Sequence, residues 1–194
     1  MRAEGGQGAR SYAYLPRLGG AGVRLDLAPP ALDWAVGAKE GHLALADVDG
    51  VRLRFQAAKF AGSSFEMELS ARDGTRLKIG SASRISLTGV RDQGPDYAAF
   101  VRAFHQARAQ AGGPCLFRGG FPAWRFWLMA AMGAIALAGL AAVLGFALVE
   151  RQWSFAMFLA AMSAFVVWPT AQLIWRNRPV TYQPDAIPAH LLPA

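Results

Sequence analysis

The spacing of apolar and polar residues along this chain changes character three times. In the first part it alternates. Val23-Arg-Leu-Asp-Leu27, Val51-Arg-Leu-Arg-Phe55 and Phe65-Glu-Met-Glu-Leu69 put an apolar side chain at every second position, which predicts strands with one buried face. Leu32, Trp34 and Val36 share a face in the same way, and Leu77-Lys-Ile79 and Ile85-Ser-Leu87 are shorter runs of the same kind. Turn-forming residues stand between these runs: Pro29-Pro30, Lys39-Glu-Gly41, Asp49-Gly50, Ala61-Gly-Ser-Ser64 and Asp73-Gly74. Asp73-Gly74 sits between two alternating runs and is the strongest hairpin signal.

The period then becomes that of a helix. Gly94-Pro95-Asp96 opens it, with proline early and a carboxylate in the first turn. Tyr97, Phe100, Val101 and Phe104 form an apolar stripe, with His105 at its flank, and Gly112-Gly113 ends the segment. About six or seven short strands and one amphipathic helix predict an α+β domain. Its antiparallel sheet is curled or closed into a small barrel, with the helix covering the open end or edge.

The third pattern has no polar period at all. Phe126 to Val149 and Trp153 to Trp175 contain no charged residue, and only Glu150-Arg151-Gln152 separates them. As helices rising about 1.5 Å per residue, each run reaches roughly 35 Å, enough to cross a hydrocarbon core of about 30 Å. The chain thus divides into a flexible start (1–19), a sheet domain (20–113), a juxtamembrane linker (114–125), two membrane helices (126–149 and 153–175) and a proline-rich tail (176–194).

Charge sets the expected orientation of the hairpin. Arg108, Arg118 and Arg125 precede the first span and Arg176 and Arg178 follow the second, whereas the turn carries only Arg151. Positive residues stay on the cytoplasmic side, so both termini are expected in the cytoplasm. Trp124, Trp127, Trp153 and Trp175 mark the expected interfaces. Inside the spans, Gly133, Gly139 and Gly145 smooth the first helix, and Ala141 with Gly145 permits close helix approach, within the hairpin or in a homodimer. Pro169-Thr170 predicts a kink. With no ionisable group in either span, transport by this chain alone is not expected.

In the tail, Pro179, Pro184, Pro188 and Pro193 disfavour regular structure. Tyr182, Ile187, Leu191 and Leu192 are apolar points along it. Docking on the chain's own sheet, docking on a partner, and disorder are all open from sequence, with self-docking weighted first.

Composition changes this picture only in part. The net charge is +7, from seventeen arginines and three lysines against thirteen carboxylates. Such an excess suits nucleic acid or anionic lipid. Several of these arginines flank the spans, however, and no aromatic platform shares their face, so nucleic acid is not expected. The Arg-, Ala- and Gly-rich usage suggests a bacterial genome. No apolar h-region opens the chain, so no cleavable signal peptide is expected. The single Cys115 allows no internal disulfide.

Candidate chemistry is sparse. His42, His105 and His190 form no metal-binding spacing, Glu66 and Glu68 alternate as exposed strand positions do, and the Gly19-Gly20-Ala-Gly22 run lacks the residues of a phosphate loop. No catalytic residue, cofactor or metal is assigned. One binding set stands out: Arg52, Arg54 and Lys59, with Arg72, Arg76 and Lys78 around the Asp73-Gly74 turn. Interleaved with Asp49, Glu66 and Glu68, these can equally form a solvated sheet face, the weightier reading. Facing a bilayer they would meet anionic headgroups, each adding about 1 kcal/mol.

Leu32-Asp-Trp34, the passage Glu40-Gly-His-Leu-Ala-Leu-Ala-Asp-Val48 into Val51-Arg-Leu-Arg-Phe55, and the closing helix Tyr97 to Arg108 together resemble the bacterial pleckstrin-homology-like domain. The likeness covers roughly residues 20 to 112. It implies that fold and a binding role, and no catalytic residues. With the hairpin, the chain resembles uncharacterised bacterial inner-membrane proteins that join such a domain to a few membrane helices. The expected function is a non-enzymatic, membrane-anchored binding or scaffold module that presents its cytoplasmic domain to a protein partner. The alternatives are an anionic-lipid sensor or an accessory subunit of a larger membrane complex.

Overall fold

A computed structural model describes residues 10–16, 20–58, 62–84 and 90–193. Lys59, Ala61, Gly19, the Gly5-Gly6 pair and the Ile85-Ser-Leu87 run lie outside the described residues. The chain forms two compact units, Met1–Gly120 with Val180–Ala194, and Phe121–Pro179.

In the first unit, β1 (Arg10–Tyr14), β2 (Val23–Ala28), β3 (Ala31–Val36) and β4 (Lys39–Ala44) form a four-stranded antiparallel meander. Next come β5 (Val48–Ala58), β6 (Gly62–Ala71) and β7 (Arg76–Gly80), a second meander. A ribbon of β8 (Ala82–Arg84) and β9 (Val90–Asp92) leads into the helix α1 (Gly94–Ala111), and then β10 (Leu116–Gly119). The last strand, β11 (Val180–Thr181), comes after the second unit, and the larger sheet has the order β11-β10-β5-β6-β7.

The alternation seen in the sequence is the alternation of burial. Leu25, Leu27 and Leu32 face inward from the first sheet, and Val51, Leu53, Phe55, Phe65, Met67 and Leu69 from the second. Tyr97, Phe100, Val101 and Phe104 of α1 are buried with them. Pro95 and Asp96 sit in the first turn of α1, and Gly112 (φ 70°) and Gly113 (φ 81°) end it in a backbone region that residues with a Cβ rarely enter.

Among the described residues, strand pairing does not close into a barrel. Between β1 and β7, tyrosine hydroxyls replace main-chain pairing: Tyr12 donates to the Gly80 carbonyl at 2.6 Å and Tyr14 to that of Lys78 at 2.8 Å. This also corrects the expected flexible start, because Arg10–Tyr14 is a strand whose two tyrosines are buried.

Three other expectations change. Lys39–Gly41 begins β4 and is not a turn; the chain reverses at Gly37 (φ 62°) and Ala38. Asp49-Gly50 is not a turn either but an irregularity inside β5, where the register shifts between Val48 and Gly50. His105 is fully buried, not a flank residue.

The second unit is a hairpin of α2 (Ala123–Val149) and α3 (Trp153–Arg176). Both helices are long and apolar enough to cross a membrane, with mean hydropathy 2.4 and 1.6. Core helices of a soluble protein would be mostly covered, whereas here only Ala147 and Ala156 are buried. Arg151 turns the chain with φ 56°. α3 runs on through Pro169. Two polar side chains of α3 are satisfied within the helix: Ser163 donates to Leu159 O, and Thr170 to Val166 O at 2.8 Å. A Cβ on Gly133 would meet Ile174, while Gly139 and Gly145 have nothing within 4 Å. The Ala141–Gly145 face is therefore not the contact between α2 and α3.

Candidate functional site: an arginine-lined groove

The outward face of the larger sheet is organised in cross-strand rows. One row runs Thr181, Arg118, Arg52, Glu68, Lys78 across β11, β10, β5, β6 and β7. The next runs Leu116, Gly50, Ser70, Arg76. Gly50 has no side chain, and a Cβ there would come within 2.6 Å of Ser70 Oγ. A glycine inside a strand thus lowers the floor. The result is an open groove of about 660 Å³ lined by Arg52, Arg72, Arg76, Arg118, Asp49 and Glu68, with Ser70, Cys115 and Leu116.

The carboxylates of this face are already engaged. Arg54 Nη2 donates to Glu66 Oε1 at 2.6 Å and to Glu68 Oε2 at 2.7 Å, and Gln56 holds the other oxygen of Glu66. Asp49 accepts from the Ser70 hydroxyl at 2.8 Å. Glu68 lies opposite Arg52 in register, yet it binds the diagonal Arg54. Among the described residues, Arg52 therefore hydrogen-bonds only the Gly120 carbonyl, at 3.3 Å. Among the described residues, Arg52, Arg72, Arg76 and Arg118 form no ion pair. Burial, followed by the positive charges of Arg118 and Arg54, pulls the Arg52 pKa below its ordinary value.

Behind the groove lies a fifth guanidinium. Arg108 of α1 is 1 % exposed. Its Nε donates to Val48 O at 2.9 Å, and its terminal nitrogens reach the carbonyls of Gly112, Gly113 and Pro114. These carbonyls follow the negative end of the helix dipole and make a suitable cradle for a cation. Cys115 lies beside Arg108, but burial outweighs the nearby charge and pushes its thiol pKa up. That disfavours the thiolate and hence nucleophilic chemistry.

Three of the six sequence-predicted contacts, Arg52, Arg72 and Arg76, thus converge on one groove. Arg54 faces the same way but is neutralised, with 15 % of its side chain exposed. Lys78 is exposed on β7, outside the lining, and Lys59 lies outside the described residues. The groove also recruits Arg118, which the sequence had suggested only as a membrane-flanking charge in a linker. No period announces β10: Leu116 and Phe117 are adjacent apolar residues, and only their burial alternates, Leu116 exposed and Phe117 buried.

The tail covers the β10 edge of the larger sheet. Thr181 pairs with Arg118 and Val180 with Gly119. The Tyr182 hydroxyl donates to His105 Nε2 at 3.0 Å, while His105 Nδ1–H donates to Val101 O at 2.7 Å. The His105 and Phe117 rings lie 5.2 Å apart and those of His105 and Tyr182 5.8 Å apart. Leu191 is fully buried and Leu192 nearly so. A Cβ on Gly119 would collide with Leu191 and come within 2.6 Å of Val180. The tail is therefore docked on its own sheet.

Among the described residues no three His, Cys, Asp or Glu side chains gather as metal ligands. In comparisons with family models, curated proteins and solved structures, nothing matches this chain.

Proposed function

We propose that the chain is a non-enzymatic binding module anchored in a bacterial inner membrane by its helical hairpin, presenting a pleckstrin-homology-like domain to a protein partner on the cytoplasmic side. One observation carries this reading. The hairpin is inserted between β10 and β11, which are paired neighbours in one sheet. A domain meant only to float beside a membrane needs one flexible tether. Here both connections to the apolar helices come directly from sheet strands, as suits a domain held for presentation.

Other features agree with it. A four-stranded meander, a second meander and then a closing helix is the order expected of a pleckstrin-homology-like domain, with β10 and β11 as additions. On the described face of the larger sheet, the groove offers charge complementarity and not an apolar patch, which suits recognition of an anionic surface.

The test is to extract the tagged full-length chain in native lipid particles and identify what accompanies it. A defined protein at stoichiometric amount is the expected result. Recovery of the chain alone would overturn the partner reading and leave an anionic-lipid module in its place.

A further inference from the structure

We propose that the groove over Gly50 is a phosphoryl-binding site, with Arg52 and Arg118 as its central pair and Arg72 and Arg76 closing it from the β6–β7 turn. The inference rests on reading the sheet domain as a binding module and names the ligand class of its groove. Three features of the groove support it. The guanidinium groups of Arg52 and Arg118 come from register partners on adjacent parallel strands. The two charges repel, and Glu68, opposite Arg52, offsets this only in part. Neither carboxylate of the lining pairs with a groove arginine: Glu68 binds Arg54, and Asp49 accepts from Ser70 in the groove itself. Gly50 leaves room at the centre, where any side chain would meet Ser70 Oγ.

The valence of the site selects the ligand. A single carboxylate offers two oxygens and one charge. A phosphate monoester offers three oxygens and a charge of about −1.5 to −2, and it accepts the forked donors of several arginines at once. Two sources carry this chemistry, a lipid headgroup and a free phosphate compound. The headgroup is favoured, since only Gly120, Phe121 and Pro122 separate β10 from α2 in sequence.

The experiment uses the full chain in neutral detergent. Binding of short-chain phosphatidic acid, phosphatidylcholine, inorganic pyrophosphate and polyglutamate is measured by native mass spectrometry and thermal shift. Phosphatidic acid is expected to bind, to weaken steeply with salt, and to lose roughly tenfold or more in affinity in the Arg52→Gln/Arg118→Gln variant. Arg76→Gln is exposed and makes no described interior bond, so it should lose affinity without lowering the melting temperature. Lys39→Gln, on β4, should bind as the parent does. Pyrophosphate binding as tightly as phosphatidic acid would keep the phosphoryl site and assign it to a soluble ligand.

Equal retention by the double variant would overturn the proposal. So would an equal loss in Lys39→Gln, or binding of polyglutamate in preference to both phosphoryl probes. Co-purification separates the two readings. A partner that still accompanies a double variant unchanged in phosphoryl binding sinks the groove and spares the module. Phosphoryl binding by a chain recovered alone does the reverse.

Discussion

His105 and Arg108 sit one turn apart on α1, both buried, and each meets burial differently. Arg108 spends its donors on a ring of carbonyls. His105 stays neutral: burial pulls its pKa from 6.5 to about 4, which leaves Nε2 free to accept from Tyr182. The unfolded chain takes up this proton near pH 6.5 and the folded chain only near 4. The stability contributed by the neutral imidazole is therefore complete above pH 6.5 and is lost as pH falls through that window. A shift of this size corresponds to an upper bound of about 3 kcal/mol. Melting of the full chain in neutral detergent should show this loss between pH 6.5 and 4. His105→Gln should flatten that part of the profile. An equal slope in the variant would assign the acid sensitivity to other groups.

At the scale of elements, Gly119 decides whether β10 and the tail can meet. Replacing it by alanine forces a methyl group into Leu191 and Val180. Overpacking of this kind costs about 1–3 kcal/mol, and the cheapest relief is for the tail to lift. Gly119→Ala should expose Tyr182 and Leu191 to chymotrypsin in mild detergent, while the parent tail resists. Equal resistance would mean that the sheet absorbs the methyl in another way.

Elements also show what could be read from residue order. Strict alternation located β2, β5 and β6, because Leu25 and Leu27, Val51, Leu53 and Phe55, and Phe65, Met67 and Leu69 are buried at every second position. β1 escaped notice because Tyr12 and Tyr14 are only two apolar points, and their hydroxyls matter as much as their rings. Asp49-Gly50 has turn chemistry, but here that chemistry serves a bulge. The groove was half visible for the same reason. Arg52, Arg72 and Arg76 follow from local pattern, whereas Arg118 joins them only through a parallel pairing between distant segments, which no period records.

For the whole molecule, the insertion of the hairpin between neighbouring strands fixes both of its ends to one sheet. The turn at Arg151 and the tail at Asp185 should then lie on opposite sides of a membrane. In a Cys115→Ser background, Arg151→Cys should label with an impermeant maleimide applied to intact cells, and Asp185→Cys only after lysis. Native Cys115 is a poor reporter, since burial raises its thiol pKa and slows the reaction. Labelling of both engineered positions from outside would contradict a hairpin crossing twice.

The same insertion imposes an order in time. β11 and Leu191 lie beyond α3 in the chain, so a ribosome delivers them only after both apolar helices have been made. Until then β10 keeps an open edge, and the seat filled by Leu191 stays bare. The sheet unit of this protein therefore cannot finish folding before the two apolar helices have been synthesised. A chain cut short within those helices and a chain with an unfinished domain would present themselves to the cell's proteases as a single defect.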